Sequence, residues 1–349
     1  MAADNAIKVK TETRLDYIDI AKGFVIFLCV LGHAVHFGGL TFRFIFLFHM
    51  PFFFIISGWC KAIFDKQKTF LTMIKNNTIK LLLPSLIYRV LISIPIVNVK
   101  DAAINVLLNP YYEWFLPTMF ASNILFFFFY KFDKKYDIKS YIRIAIAITV
   151  SAVSTIMIIV YKEMGLHMKV GFPISMDCVL LGFVYIVIGY ELKKVFDAEN
   201  TVVSIRKPSI IPLFAVFALI FILSLYSDYI NLADCELGNS SAFAIFAASY
   251  ISITVIWISK KSNSLKTNIK LSAFLKKLLI LWGRYSLWVY LLHLLINKAI
   301  EKVFLVYSVS IDDKTLRAAV FCTVDMAIIT LVLMIYDKMK TARIKHKSK

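Results

Sequence analysis

Apolar residues along this chain come in blocks of roughly 17–22 residues, separated by short polar segments. A helix needs about 20 mostly apolar residues to cross the hydrocarbon core of a bilayer. We therefore predict an all-α, polytopic integral membrane protein with about ten transmembrane helices. The predicted spans cover residues 18–37, 42–60, 79–98, 113–131, 140–160, 172–191, 209–227, 240–259, 278–297 and 317–337.

The basic residues are distributed unevenly between the two sides of this pattern. Thirty of the 40 Lys and Arg residues lie in the segments on the side of the two termini, and eight lie on the opposite side. Positively charged loops tend to remain in the cytoplasm. We therefore predict that both termini are cytoplasmic and that the protein lies in the plasma (inner) membrane. Because the net charge of +18 is divided among these loops, we do not expect nucleic acid as a partner.

The composition agrees with one membrane domain, since 60% of the residues are hydrophobic and the mean hydropathy is +0.75. No repeat or long polar insert divides the chain. We predict a cytoplasmic tail at residues 1–17, one ten-helix domain at 18–337 and a basic cytoplasmic tail at 338–349. The cysteines are scattered, which predicts buried side chains and neither a disulfide framework nor a metal site. They are Cys29, Cys60, Cys178, Cys235 and Cys322.

Two polar residues, Lys22 and His33, enclose the first apolar block. Eleven residues turn an α-helix through three turns and about 20°, so both side chains leave one face, about 16 Å apart along the axis. Asp19 lies one turn before Lys22 and can pair with it. Taken alone, Lys22 is typical of a lysine that reaches the membrane surface and determines the orientation of the helix. His33 taken alone is typical of a histidine that forms a hydrogen bond to a neighbouring helix.

The second predicted span contains FHMPFFFIISGW, residues 48–59. Its Ser57 and Gly58 are more typical of a helix-packing surface than of catalysis. His33, His36 and His49 could meet as a metal site, but no acidic or Cys ligand lies at a supporting spacing, so we expect no metal.

Further polar groups occur in or beside the later spans. EWFLPTMF opens the fourth span, where Trp114 is typical of an interfacial anchor and Glu113 of a solvated loop carboxylate. Three more intramembrane polar residues are Asp177, His293 and Asp325.

Lys75 and Lys80 precede LLLP at the head of the third span. They fit the positive-inside pattern, and they could equally receive phosphate groups as point charges.

Five motifs, in the order in which they occur along the chain, resemble those of the integral-membrane acyltransferase-3 family. Within it they resemble the fucose 4-O-acetylase-like group, which decorates surface polysaccharides. The resemblance covers nearly the whole chain. The motifs are RLDYIDIAKGFVIFLCVLGH (14–33), FHMPFFFIISGW (48–59), WFLPTMF (114–120), MDCVLLGFVYIVIGY (176–190) and GRYSLWVYLLH (283–293).

The resemblance implies transfer of an acyl group, usually acetyl, from acetyl-CoA in the cytoplasm to a sugar hydroxyl of a cell-surface or lipid-linked glycan. It identifies His33 as the essential histidine, Lys22 as the basic residue before it and Lys80 as the basic residue at the head of the third span. The family often has a pair of arginines there. Lys75 and Lys80 supply the same positive charge, but lysine cannot form arginine's bidentate contact. The geometry of phosphate binding would therefore differ from the family pattern.

These residues suggest a mechanism. Lys22, Lys75 and Lys80 would hold the phosphates of acyl-CoA at the cytoplasmic surface, while its arm runs beside the first span. His33 would act as the general base on the sugar hydroxyl.

Ser57, Glu113 and Trp114 are candidates for stabilising the oxyanion or for binding the acceptor. One alternative is a covalent acetyl-His33 intermediate. Two alternative functions remain. The protein could be a transporter or flippase for a lipid-linked glycan, or a membrane sensor that binds a small ligand without catalysing a reaction.

Overall fold

A computed structural model of the protein describes residues 15–34, 40–64, 69–93, 113–163, 178–202, 210–226, 241–264, 270–308 and 311–347. These residues are almost entirely helical and contain no β-strand. In chain order, the helices are α1 (Asp16–Ala34), α2 (Leu40–Ile63), α3 (Phe70–Asn77), a π-helical turn (Thr78–Leu82), α4 (Leu83–Ser93), α5 (Phe115–Tyr136), α6 (Ser140–Glu163), α7 (Val179–Val202), α8 (Ile210–Tyr226), α9 (Ser241–Ser264), α10 (Lys270–Arg284), α11 (Ser286–Val306) and α12 (Lys314–Lys347).

Six of the helices in the described ranges are long and apolar enough to cross a membrane, and a seventh span results if α10 and α11 form one span together. This confirms an all-helical, multi-pass membrane protein. The prediction of ten spans stays a prediction, as does the orientation of the termini. The six helices are α1, α2, α5, α6, α9 and α12.

The chain divides into two compact units, residues 1–31 with 254–349, and residues 32–253. In the second unit, α2 and α7 pack backbone against backbone. A Cβ at Gly58 would overlap the carbonyl oxygen of Ile186, and a Cβ at Gly189 would overlap that of Ile55. Small residues permit this close approach in membrane proteins, where packing rather than water exclusion holds helices together. The predicted packing role is confirmed for Gly58.

In the first unit, glycines bring α1 and α10 equally close. A Cβ at Gly23 would overlap the carbonyl oxygen of Leu279, and a Cβ at Gly283 would overlap that of Asp19. Immediately after this contact the chain turns, and the axes of α10 and α11 meet at 88°. The predicted span over residues 278–297 therefore contains a bend at Tyr285 and is not one continuous helix.

The predicted third span also departs from a regular helix in its described part. Residues Thr78–Leu82 form a π-helical turn, and α4 follows at Leu83. Pro84 explains the wider turn, since proline lacks an N–H group and its ring clashes with the carbonyl of the residue four positions earlier, here Lys80.

Two further predictions about the chain need comment. The predicted basic tail at 338–349 continues α12 as far as Lys347, because its Lys, Met, Ala and Arg residues favour helix and no proline or glycine interrupts them. The prediction of no disulfide is wrong for Cys178, which forms one at the start of α7. Sequence spacing could not reveal this bond, since helix packing decides which cysteines meet. Cys235 lies outside the described residues.

Candidate functional site

Two histidines lie side by side, His33 in the last turn of α1 and His49 in the first half of α2. The rings of His33 and His49 have centroids 6.3 Å apart and are nearly perpendicular. A ring nitrogen of one lies within 4.8 Å of a ring nitrogen of the other. His33 is exposed, whereas His49 is buried. An exposed imidazole supported by a buried one is therefore available to a reactant at this position.

The local sequence explains why the two rings meet. Gly32 has no side chain, so the last turn of α1 approaches Ile45, whose Cγ2 would lie 3.0 Å from a Cβ at position 32. The Phe46 ring contacts both imidazoles, with centroids 5.4 Å from His33 and 4.7 Å from His49. These edge contacts restrict the orientation of both imidazoles.

A backbone contact fixes the His49 ring. Its Nδ1 lies 2.9 Å from the carbonyl oxygen of Ile45, one turn earlier on α2. A carbonyl only accepts, so Nδ1 carries the proton and Nε2 is left as an acceptor in the neutral ring. The sequence patterns did not predict this role for His49.

The metal prediction concerned the same histidines. His33 and His49 lie together, and His36 lies outside the described residues. Cys29, one turn before His33 on α1, offers a third possible ligand atom to this pair, so the expectation that no Cys lies at a supporting spacing is wrong. The expectation of no metal stays a prediction.

At the other end of α1, Lys22 and Asp19 form the predicted pair, with Nζ 3.7 Å from Oδ1. The Asp19 side chain is buried and that of Lys22 is about one-quarter exposed. The pair therefore directs the ammonium group towards the end of the helix. Because α1 is unbroken from Asp16 to Ala34, Lys22 and His33 stay about 16 Å apart along one axis.

The residues between them show what this helix face contacts. Ile26 and Cys29 lie on the same face, at positions four and seven after Lys22, and both are fully buried. Phe24, on the opposite face, is 40% exposed. The face that carries Lys22 and His33 therefore points into the protein rather than towards lipid.

Glu113 is not the solvated loop carboxylate that the sequence suggested. It is 1% exposed, and its Oε1 accepts a hydrogen bond from the backbone N–H of Leu116, 2.7 Å away, at the start of α5. Its Oε2 accepts from the hydroxyl of Ser85. The carboxylate thus caps a helix whose first N–H groups need acceptors in an apolar environment.

Arg89 completes this cluster from α4. One of its guanidinium nitrogens donates to the carbonyl oxygen of Glu113, and Nε lies 3.9 Å from Oε2. Arg89 lies inside the apolar block predicted as the third span. A lone arginine in an apolar block was the signal that a buried partner exists.

Trp114 and Ser57 occupy less direct positions. Trp114 precedes α5, where its carbonyl accepts from the Thr118 hydroxyl at 2.8 Å, and its ring contacts Phe115. Ser57 is eight residues past His49 on α2, about 12 Å along the axis. The structure therefore does not bring Ser57 next to the His33–His49 pair.

Lys75 and Lys80 are both exposed, one in the last turn of α3 and one in the π-helical turn. Wider turns of this kind often occur at functional sites. Here the turn changes the direction in which Lys80 leaves the helix.

Two of the other three intramembrane polar residues, His293 and Asp325, lie in the first unit. Nδ1 of His293 lies 3.2 Å from the carbonyl oxygen of Val289, and both His293 and Asp325 are fully buried in the first unit. Asp177 lies outside the described residues.

A second buried ion cluster, which the sequence did not predict, joins α5, α6 and α7. Arg143 contacts Asp133 at 2.7 Å and Glu191 at 2.5 Å. Lys194 lies 3.8 Å from Glu191, and burial is the main influence that lowers the pKa of this lysine. All carboxylates here face cations, which indicates a structural role.

A family model described as an acyltransferase domain matches residues 15–336 of the chain. No curated protein and no solved structure matches it.

The Arg89–Glu113 contact leads to a prediction about stability. Arg89→Leu leaves the buried Glu113 carboxylate without its cation, so we expect the free energy of unfolding to fall by about 3–5 kcal/mol. Adding Glu113→Gln should recover much of this loss, because a neutral amide needs no counter-charge. Reversible unfolding in mixed micelles with a denaturing detergent measures both changes.

The matched control is Arg317→Leu, which removes the arginine of an exposed pair with Glu301. Its expected effect is below about 1 kcal/mol. Equal stability of Arg89→Leu and the unaltered protein would contradict a charge-compensating role for Arg89.

Proposed function

This chain belongs to the acyltransferase-3 family, and from that premise we propose that it is a membrane O-acetyltransferase of the fucose 4-O-acetylase-like group. It moves an acetyl group from acetyl-CoA, its co-substrate, to a sugar hydroxyl of a cell-surface or lipid-linked glycan. The observation that carries this proposal is the exposed imidazole of His33 beside the buried, backbone-anchored imidazole of His49.

In the proposed reaction, His33 acts as the general base. It takes the proton of the sugar hydroxyl while the oxygen attacks the thioester carbonyl, and a C–O bond forms. The tetrahedral intermediate then collapses, the C–S bond breaks, and the proton on His33 passes to the departing CoA sulfur. A ring whose unperturbed pKa is near 6.5 suits both transfers near neutral pH.

His49 acts as a positioning residue in this scheme. Its Nδ1–H is occupied by Ile45, so its Nε2 lone pair is the part of the ring that can stabilise the imidazolium formed on His33. The perpendicular arrangement of the rings and the Phe46 contacts hold His33 ready without a large entropic cost at the reacting step.

The donor is held at the other end of α1. Lys22, Lys75 and Lys80 supply positive charge for its phosphates, and Asp19 orients Lys22. The pantetheine arm would run along α1 between Lys22 and His33, a length of about 16 Å. Because Ile26 and Cys29 on this face are fully buried, the side chains packed against them must move to admit the arm.

The proposed orientation places this donor end in the cytoplasm and the protein in the plasma (inner) membrane. The excess of Lys and Arg on the side of the termini supports it. The Cys178 disulfide gives independent support, because it lies at the end of α7 assigned to the outside and disulfides persist in oxidising compartments.

Replacement of His33 tests the central step. For His33→Ala we expect acetyl transfer to fall by at least about 100-fold, because the base is lost. His49→Ala should lower kcat by a smaller factor and leave the KM for acetyl-CoA unchanged. The measurement is release of CoA thiol in the presence of acceptor glycan, with His346→Ala as control and elution and melting behaviour as the check of folding. A folded His33→Ala protein with full activity would refute the mechanism.

The covalent alternative differs in one observable. In direct transfer, protein incubated with labelled acetyl-CoA without acceptor and quenched in acid stays unlabelled. Label on a peptide that contains His33 would instead establish an acetyl-enzyme.

A flippase for a lipid-linked glycan is the second candidate function, favoured only by the number of spans and the buried polar groups. It would release no CoA thiol from acetyl-CoA. Surface glycans from cells with and without the protein also separate the two. Loss of acetyl groups at constant glycan amount supports the transferase, whereas loss of the glycan itself supports the flippase.

The proposed path of the donor gives a further prediction. Ile26→Trp adds bulk on the α1 face that carries Lys22 and His33, so we expect a KM for acetyl-CoA at least about tenfold higher, or a matching fall in kcat/KM. Phe24→Trp, on the exposed opposite face, is the matched control and should leave both constants unchanged. Equal kinetics for the two variants would exclude this face as the path.

A further inference from the structure

We propose that α10 is an interfacial helix that binds an anionic phospholipid, with the phosphate group at Lys276, Ser262 and Ser272 and an acyl chain along the neighbouring leucines. This site lies entirely in the first unit and is separate from the His33–His49 pair. The proposal does not depend on the acetyltransferase activity.

The direction of α10 is the first argument. Its axis meets that of α11 at 88°, so the two helices cannot both lie along the membrane normal. The 15-residue α10 carries four basic residues, which favours α10 as the helix that lies along the membrane surface. Two hydrogen bonds to α12 fix this direction. The indole N–H of Trp282 donates to the hydroxyl oxygen of Thr330 at 2.9 Å, and the Tyr285 hydroxyl donates to Asp337 at 2.6 Å.

The distribution of side chains on α10 is the second argument. Leu271, Phe274 and Leu275 recur at helical spacing and are 65%, 57% and 50% exposed. Lys270, Lys276 and Lys277 lie away from the centre of this apolar stripe. A basic helix with one exposed apolar stripe is typical of a segment that lies in the headgroup region of a bilayer.

The charge of this segment favours an anionic partner. Residues 237–300 contain no Asp or Glu, and Lys260, Lys261, Lys270, Lys276 and Lys277 all lie within it. Basic residues near an anionic membrane surface are attracted to its lipid headgroups. No carboxylate within this stretch of sequence offsets that attraction.

A cavity of about 280 Å³ offers a defined binding site for such a partner. It lies between α10, the end of α9 and the start of α1. Its lining combines three polar residues with four apolar ones, Ile20, Ser262, Leu271, Ser272, Leu275, Lys276 and Leu279. Lys276 is anchored at the cavity by a 3.0 Å bond from Nζ to the carbonyl oxygen of Asn263. Its ammonium carries three donors, so two are left for a phosphate.

The apolar part of the lining decides between a phospholipid and a soluble phosphate. A free phosphate or a nucleotide gains nothing from Leu271, Leu275 and Leu279. A lipid chain buries their surface, and the exposed stripe on α10 continues the same apolar surface. We therefore commit to a phospholipid.

Native mass spectrometry of the full chain tests this site, with equal amounts of phosphatidylglycerol and phosphatidylcholine added to the detergent-purified protein. We expect the unaltered protein to retain phosphatidylglycerol preferentially. Lys276→Gln should weaken this binding by about tenfold, since one charge-assisted contact is lost. Lys302→Gln, an exposed lysine of α11, is the matched control and should not change it.

A second variant, Leu275→Trp, fills the cavity without altering charge and should also reduce the retained phosphatidylglycerol. Elution and melting behaviour show that each variant is folded, so a loss of lipid is not read from unfolded protein. Equal retention of both lipids, or retention unchanged in both Lys276→Gln and Leu275→Trp, would overturn the proposal. Displacement of the lipid by acetyl-CoA or inorganic pyrophosphate would also overturn it, because the cavity would then serve soluble phosphates.

Discussion

In an apolar interior, each ionisable side chain needs a partner, because an unpaired charge or hydrogen-bonding group costs several kcal/mol away from water. Two ion clusters in the second unit meet that requirement by joining helices that are separate in sequence. Arg89 on α4 contacts Glu113 ahead of α5, and Arg143 on α6 contacts Asp133 on α5 and Glu191 on α7. These contacts fix the relative positions of the helices in the second unit, where the apolar surfaces alone would allow sliding.

The same requirement shapes the candidate site. His49 satisfies its Nδ1 with a carbonyl of its own helix, and that choice determines which nitrogen is directed elsewhere. Its neighbour His33 lies at the end of α1, where it is exposed, so it can exchange a proton with a reactant. In the proposed reaction, the buried imidazole of His49 orients and the exposed imidazole of His33 transfers the proton.

Much of this arrangement follows from the sequence alone. Hydrophobic blocks predict the helices, since a span must satisfy its own backbone, and helical spacing predicts the Asp19–Lys22 pair. The burial of Glu113, the Cys178 disulfide and the support of His33 by His49 depend on contacts between distant segments, which no local pattern encodes. The bend at Tyr285 was hidden for another reason. Residues 278–297 are mostly apolar, and apolarity indicates burial or lipid contact without specifying direction.

The two irregular turns have different causes and different consequences for the surface assigned to the donor. At Thr78–Leu82 the cause is covalent, because Pro84 cannot donate a hydrogen bond and displaces the carbonyl of Lys80. At Tyr285 the cause is tertiary, because Gly283 packs against Asp19 while Trp282 and Tyr285 bond to α12. Gly283 contacts the backbone of the residue whose side chain holds Lys22, so the bend of α10 and the position of that lysine are parts of one contact. A change at the α1–α10 contact therefore acts on Lys22 through Asp19, although no residue of α10 needs to touch a substrate.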